Sequence, residues 1–296
     1  MPNSSQYWIV VVLYEPDQSS LDFWLPIAQQ HNVIIVDNSP TYSVSKDLEI
    51  AADKVFYNHN HGGIAGALNI GLTDVSNTQA AWCFLFDQDS RPEQDFFSKM
   101  LDQIVLTKDN HKAAIFAPVY YETNLKKIAD VIEISNGRLK RHKYLDIKNK
   151  EIIHATYTIT SGSVINLSIW NQVGKYDESL FLDFVDIEWG MKACSMGYQV
   201  IIFPKIIMQH TLGDKPIKIG LWNFPNHSSE RHHLYFKNIF IMIKKKHVFL
   251  SWKKKELAKI IPRILIYSIF TNNKIIHAKS ILSGIVDGLK EFKKKI

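Results

Sequence analysis

The feature that most constrains the fold is a series of short, wholly apolar segments separated by helix-like stretches in the first 120 residues. Trp8-Ile-Val-Val-Val-Leu-Tyr14, Val33-Ile-Ile-Val-Asp37 and Ala81-Trp-Cys-Phe-Leu-Phe86 show no polar alternation, and shorter runs follow the same form at Lys54 to Tyr57 and Ala113 to Ala117. Strands apolar on both sides belong to sheets covered by helices on both faces, which are mainly parallel. Between them, Ser19 or Ser20 is expected to cap a helix reaching about His31. Gly63 to Leu72 reads as helical, and Pro92 is expected to open a helix ending near Leu106. The βαβαβ rhythm therefore predicts an α/β fold. Ligands of such sheets sit at the carboxyl ends of the strands, so the polar residues just after each strand are the ones to examine.

Beyond residue 120 the pattern loosens. Residues 120–158 read as a hairpin-like insertion, and Thr160 to Leu167 as a strand. Phe184 to Met196 reads as a helix, with Gly197 as its C′ residue. Two further strands are expected at Gln199 to Phe203 and Ile206 to His210. From about Asn226 the pattern is helical, over 228–246, 252–271 and 274–293. This divides the chain into a catalytic part, 1–225, and a helical part, 226–296.

Charge supports that division. Residues 1–215 carry 18 Lys and Arg against 25 Asp and Glu, whereas residues 216–296 carry 17 against 4. The acidic part suits a cation, and the basic part suits a polyanionic partner. The two cysteines, Cys83 and Cys194, belong to no CxxC or Cys/His cluster, so neither a disulfide framework nor a zinc site is expected. The N-terminus has no basic stretch ahead of a long apolar one, and no apolar run approaches the roughly 18 residues of a membrane span. The expected location is the cytoplasm.

Asp87 and Asp89 follow an apolar strand directly, in Phe84-Leu-Phe-Asp-Gln-Asp-Ser-Arg91. Residues i and i+2 of an extended chain project to the same side, so the two carboxylates can share one divalent cation, with a ligand diphosphate completing its shell. The competing reading is a polar turn in which Asp89 or Ser90 caps the next helix.

At this point a resemblance becomes visible. Asp87-Gln-Asp89-Ser resembles the D-x-D motif of family 2 inverting glycosyltransferases of GT-A fold, in the form found in their bacterial rhamnosyltransferase branch. Other segments agree in order: Tyr14-Glu15-Pro16; Val36-Asp37-Asn38-Ser39; Asn60-His-Gly62-Gly63-Ile-Ala-Gly66-Ala-Leu-Asn69; Ser161-Gly-Ser163; Phe184-Val-Asp186-Ile-Glu188-Trp189; and His210-x-x-Gly213-Asp214. Together they cover about residues 8–240. The resemblance implies a GT-A type, Rossmann-like sheet flanked by helices, with a C-terminal helical extension.

It also implies roles. The nucleotide would sit against Tyr14, Glu15, Asp37, Asn60, Gly62, Gly63 and Asp87, with Asp37 accepting the pyrimidine N3–H and the glycines admitting the nucleoside to the backbone. The competing reading for Asp37 is a cap on its own turn. Asp87, Asp89 and His210 would hold Mg²⁺ or Mn²⁺, whose chemistry is to stabilise charge on the leaving nucleotide. Asp186 would be the base that takes the acceptor proton in a single inverting displacement. Ser161, Glu188, Trp189, Arg231 and Lys237 would bind sugar or acceptor. For Glu188 the alternative is an acid placed favourably at a helix N-terminus, and for Trp189 it is core packing. The implied donor is dTDP-rhamnose, with UDP-galactofuranose, UDP-glucose and UDP-galactose left open. The implied acceptor is a polyprenyl-diphosphate-linked glycan of a bacterial surface polysaccharide.

Lys244-Lys-Lys246 and Lys253-Lys-Lys255 flank the apolar Val248-Phe-Leu-Ser-Trp252, and the chain ends Lys293-Lys-Lys295. Lysines beside aromatic and aliphatic residues suit an anionic membrane surface; the alternative is a solvated bundle packed on the catalytic part. Two other classes fit less well. A nucleotidyltransferase would need a Gly-rich basic loop where Tyr14-Glu15-Pro16 stands. A nucleic-acid-binding protein would need a recognisable module, which the tail lacks, so no nucleic-acid partner is expected.

Overall fold

The computed structural model describes residues 7–108, 110–210, 214–220 and 222–294. The elements run in the order β1 (Tyr7–Leu13), α1 (Gln18–Gln30), β2 (Val33–Asp37), α2 (Lys46–Ala51), β3 (Lys54–Tyr57), α3 (Gly63–Ser76), β4 (Trp82–Asp87), α4 (Phe96–Leu106), β5 (Ala113–Glu122), β6 (Lys127–Ile128), β7 (Val131–Ser135) and β8 (Arg138–His142). They continue with α5 (Tyr144–Ile147), β9 (Ile153–Ala155), β10 (Ser163–Asn166), α6 (Leu167–Val173), α7 (Val185–Ser195), β11 (Gln199–His210), β12 (Asp214–Ile219), β13 (Trp222–Asn226), α8 (Ser229–Lys244), α9 (Leu250–Ile269) and α10 (Lys274–Lys293).

The central sheet has nine strands in the order β3-β2-β1-β4-β10-β5-β11-β9, with β6 on β5. The pairs β1–β2, β1–β4, β2–β3 and β5–β11 are parallel, which puts the carboxyl ends of β1 to β4 at one edge. β10 enters antiparallel between β4 and β5. The apolar runs divide by pleat parity. Val10, Val12, Ile34, Val36, Cys83 and Leu85 join one core cluster with α3, α6 and α7. Ile9, Val11, Val33, Ile35, Phe84 and Phe86 join the other with α1, α2 and α4. This two-sided burial is the condition the uninterrupted apolar segments require.

Several local expectations change. Asp17, not Ser19 or Ser20, caps α1, its side chain accepting from Ser20 N. The helix expected from Pro92 begins only at Phe96, because Arg91 is tied to Gln209 in an antiparallel bridge and a turn at 94–95 follows. The two strands expected between 199 and 210 are one, β11, with a register shift between Phe203 and Ile207. The expected insertion does contain a hairpin: β7 and β8 are joined by Asn136-Gly137, both at positive φ, as a tight two-residue turn requires.

The three C-terminal helices form as expected. Gly284 and Gly288 seat α10 tightly on α8: a Cβ would lie 2.3 Å from the His233 carbonyl oxygen or 2.9 Å from that of Lys237. Between the first two lysine clusters Val248 and Trp252 are buried as core, whereas Leu250 is exposed. Among the described residues no helix is long and apolar enough to cross a membrane. Gly213 of the late motif and Lys295 of the terminal cluster lie outside the described residues.

Candidate active site

Asp87 ends β4, Asp89 follows it, and His210 ends β11. The Arg91–Gln209 bridge holds these two chain ends together. One ligand atom from each of Asp87, Asp89 and His210 lies within 4.8 Å of the others. Two oxygen donors and one imidazole suit Mg²⁺ or Mn²⁺. His210 is buried, and its Nδ1 finds no hydrogen-bond partner among the described residues. A buried polar atom left this way is costly unless something else engages it. Burial, then the neighbouring Asp87, raises the Asp89 carboxyl above its ordinary value, and His210 pulls it back. The residues present thus fit a divalent cation.

Asp87 is oriented from behind. Its Oδ2 accepts from the Ser161 hydroxyl at 2.6 Å, and Ser161 is in turn 2.8 Å from the Ser90 hydroxyl. Ser161 is buried, so its hydroxyl is committed to the carboxylate and does not face a sugar.

Asp87, Asp89, His210, Asp183, Asp186 and Arg231 all line one cavity of about 840 Å³. Asp186 sits in the first turn of α7, where its Oδ1 accepts from the Ile187 N–H at 2.7 Å. Burial, with the charges of Asp87 and Asp183 adding to it, pushes its carboxyl up to about 6. A carboxylate tuned there is ionised at neutral pH yet basic enough to accept a proton. A second, smaller cavity of about 140 Å³ lies beside it, with Tyr120, Asp130 and Tyr157 among its walls, and Asp186 borders both. Burial, then the nearby Asp186 charge, raises the Tyr120 phenol to about 12.

Of the residues expected at the nucleotide, Asp87 lines the large cavity, whereas Tyr14, Glu15, Asp37, Asn60, Gly62 and Gly63 lie in the segments after β1 to β3 and outside it. Tyr14, 44% exposed, donates its N–H to Gln88 Oε1 at 2.6 Å, and Gln88 does line the cavity. Glu15 has φ 45° and donates its N–H to Ser39 Oγ. Asp37 is only 1% exposed, and both its oxygens accept from Ser39 and Ser43. This is the turn-capping arrangement. Asn60 Oδ1 accepts from Asn38. Gly62 and Gly63 have positive φ, but the space they leave is filled by the protein itself. A Cβ on Gly63 would meet the Phe181 carbonyl oxygen at 2.2 Å, and one on Gly62 would meet the Glu178 carboxylate at 2.8 Å.

Three expected sugar or acceptor contacts are displaced. Glu188 is buried, with Oε1 against His247 at 2.6 Å and Lys245 at 3.1 Å. Burial works to raise its carboxyl, but these two partners hold it below its ordinary value. It anchors the loop between α8 and α9. Trp189 is fully buried, donating from Nε1 to the Gly174 carbonyl at 2.7 Å, so core packing accounts for it. Lys237 does not line the cavity, and its charge acts on Asp287 and Glu291 of α10. Arg231, by contrast, reaches the cavity and pairs with Asp183 at 3.2 Å.

Asp183 itself escaped the sequence reading. Its Oδ2 is buried without a partner among the described residues, and burial raises its carboxyl despite Arg231. The available signal was an acid three residues ahead of Asp186. Lys259, Arg263 and Tyr267 of α9 also line the cavity; nothing in a lysine-rich amphipathic helix announces such a position.

Residues 21–170 match the description of glycosyl transferase family 2. The "dTDP-rhamnosyl transferase RfbF" of Shigella flexneri is 29% identical over 97% of this chain and 96% of its own. Among solved structures, S. aureus TarS 1-349 in complex with UDP-GlcNAc superposes with a TM-score of 0.56 at 14% identity, over 96% of this chain and 81% of that one. GalNAc-T7 with UDP, GalNAc and Mn²⁺ gives a TM-score of 0.56 at 12% identity, over 98% of this chain and 57% of that one.

Proposed function

The chain belongs to glycosyl transferase family 2, and from that premise we propose that it moves L-rhamnose from dTDP-rhamnose onto a lipid-linked glycan, with inversion at the anomeric carbon. The observation that carries this reading is the meeting of Asp87, Asp89, His210 and Asp186 in a single cavity. The choice of donor is supported by the rhamnosyl relative, which matches along nearly its whole length.

Asp87, Asp89 and His210 would hold a divalent cation, which when bound supplies positive charge to a leaving diphosphate. Ser161 fixes the Asp87 carboxylate in place for that task. The exposed Tyr14 ring and Asn60 offer contacts for the nucleoside beyond Gln88. The acceptor sugar occupies the smaller cavity, flanked by Tyr120 and Tyr157, so that its hydroxyl meets Asp186 on the common wall. The acceptor oxygen attacks the anomeric carbon as its proton passes to Asp186. The bond from that carbon to the diphosphate breaks, and the nucleoside diphosphate departs. The 1–225 part supplies the carboxylates, and the 226–296 part closes the cavity with Arg231, Lys259 and Arg263.

The test is thermal shift and calorimetry with dTDP-rhamnose and with UDP-sugars, each with and without Mn²⁺ and Mg²⁺. Selective stabilisation by dTDP-rhamnose plus metal is expected, and its disappearance in Asp87→Ala. Stabilisation by a UDP-sugar instead would overturn the donor assignment, and no response to any nucleotide-sugar would overturn the reading as a whole.

A further inference from the structure

The outer surfaces of α9 and α10 are apolar where a helix facing water is ordinarily polar. On α9, Leu250, Leu257, Ile261 and Leu265 stand out at helical spacing, Ile261 with 70% of its surface exposed. On α10, Ile275, Leu282, Val286 and Leu289 form a second stripe, Ile275 being 72% exposed. The positions that complete the two stripes are exposed lysines: Lys254 on α9, Lys279 and Lys293 on α10. The inner faces of the same helices are fully engaged. Trp252, Tyr267 and Ile281 are buried, and the close approach at Gly284 and Gly288 locks α10 onto α8. The apolar outer stripes are therefore not a by-product of loose packing, and they leave eight large aliphatic side chains exposed on two helices that pack together.

We propose that the outer face of α9 and α10 seats this protein on an anionic lipid bilayer. The aliphatic side chains enter the headgroup boundary while the lysines meet lipid phosphates. Charge decides between this occupant and a second copy of the chain. Residues 216–296 carry 17 Lys and Arg against 4 Asp and Glu. On the outer face a two-fold dimer would set Lys254, Lys279 and Lys293 against their own copies, whereas an anionic bilayer complements them. Since no described helix can cross a membrane, the helices lie on the surface. α9 would then serve on two sides: Ile261 and Leu265 toward lipid, Lys259 and Arg263 toward the reaction cavity. Resting on the lipid-linked acceptor proposed above, this arrangement brings the cavity to the depth at which the acceptor's phosphates emerge.

The test is flotation of the full chain with vesicles of phosphatidylcholine alone, or mixed with phosphatidylglycerol. Binding to the mixed vesicles only, weakened by salt, is expected. The double substitution Ile261→Glu with Leu282→Glu changes two solvent-facing side chains and should lower that binding by about tenfold or more, with the melting temperature and the calorimetric affinity for nucleotide-sugar unchanged. Equal flotation of variant and wild type would overturn the proposal, as would a wild type that binds neither vesicle. So would a dimer that the double substitution converts to monomer, since a second copy would then be the occupant. Nucleotide-sugar binding is read separately, so failure of the membrane face and failure of the transferase reading are told apart.

Discussion

Replacing Asp186 by asparagine should stabilise the fold at neutral pH while abolishing transfer, and the size of the effect can be worked from its surroundings. Asparagine keeps an Oδ1 that can accept from Ile187 N–H, so the one hydrogen bond of this side chain survives. What changes is the charge. Burial raises the carboxyl from an ordinary 3.8 to about 6. A folded value above the unfolded one means that the fold favours the protonated acid. The contribution of Asp186 to stability is therefore greatest below about pH 4 and falls as pH rises toward 6, after which the loss is complete. At about 1.4 kcal/mol per pH unit, the shift corresponds to about 3 kcal/mol, which water on the cavity side of Asp186 reduces to about 2 kcal/mol. The variant has no such titration. Urea denaturation in the presence of a chelator should show the two proteins equally stable near pH 4, with asparagine ahead by about 2 kcal/mol at pH 8. Transfer should fall by about 10³-fold with nucleotide binding retained. A difference in stability independent of pH would refute the buried-charge argument, and retained turnover would refute the base assignment.

Three further outcomes are expected. Ser161→Ala removes the hydroxyl that steadies Asp87, and should weaken Mn²⁺ binding about 10-fold or more at a stability cost of about 1–2 kcal/mol, read by titration calorimetry and urea melts. Gly63→Ala drives a methyl group into the Phe181 carbonyl at a positive φ, and should destabilise by about 3 kcal/mol or more; a thermal melt unchanged from wild type would contradict the close approach. Trp189→Phe loses the bond to Gly174, so it should cost about 1–3 kcal/mol while leaving the acceptor KM alone, whereas a raised KM with normal stability would return Trp189 to the acceptor site.

What was legible in the sequence follows from how local each signal is. β1, β2 and β4 could be read because two-sided burial forces every residue to be apolar, and Asp87 and Asp89 stood out against that background. The tight turn at Gly62-Gly63 was legible as a motif, but not its cause: the close neighbour is the protein's own Glu178–Phe181 segment, more than 110 residues away in sequence. Glu188, Trp189 and Lys237 were misplaced for the same reason. Spacing on a helix tells which residues share a side, while the identity of that side depends on partners such as Lys245, His247 and Gly174 that only the fold supplies. Pro92 is a sound local start signal, overridden by the distant pairing of Arg91 with Gln209.

That pairing has a bearing on how the protein comes into being. Two acids made early wait on an imidazole made more than a hundred residues later, and only the closing of β11 beside β5 brings them together. A nascent chain halted before that point carries half a grip and no trap for an ion. An ion taken up at this site would have to load after tertiary closure, and would then act as a latch on the finished molecule, resisting its unfolding without having guided its birth.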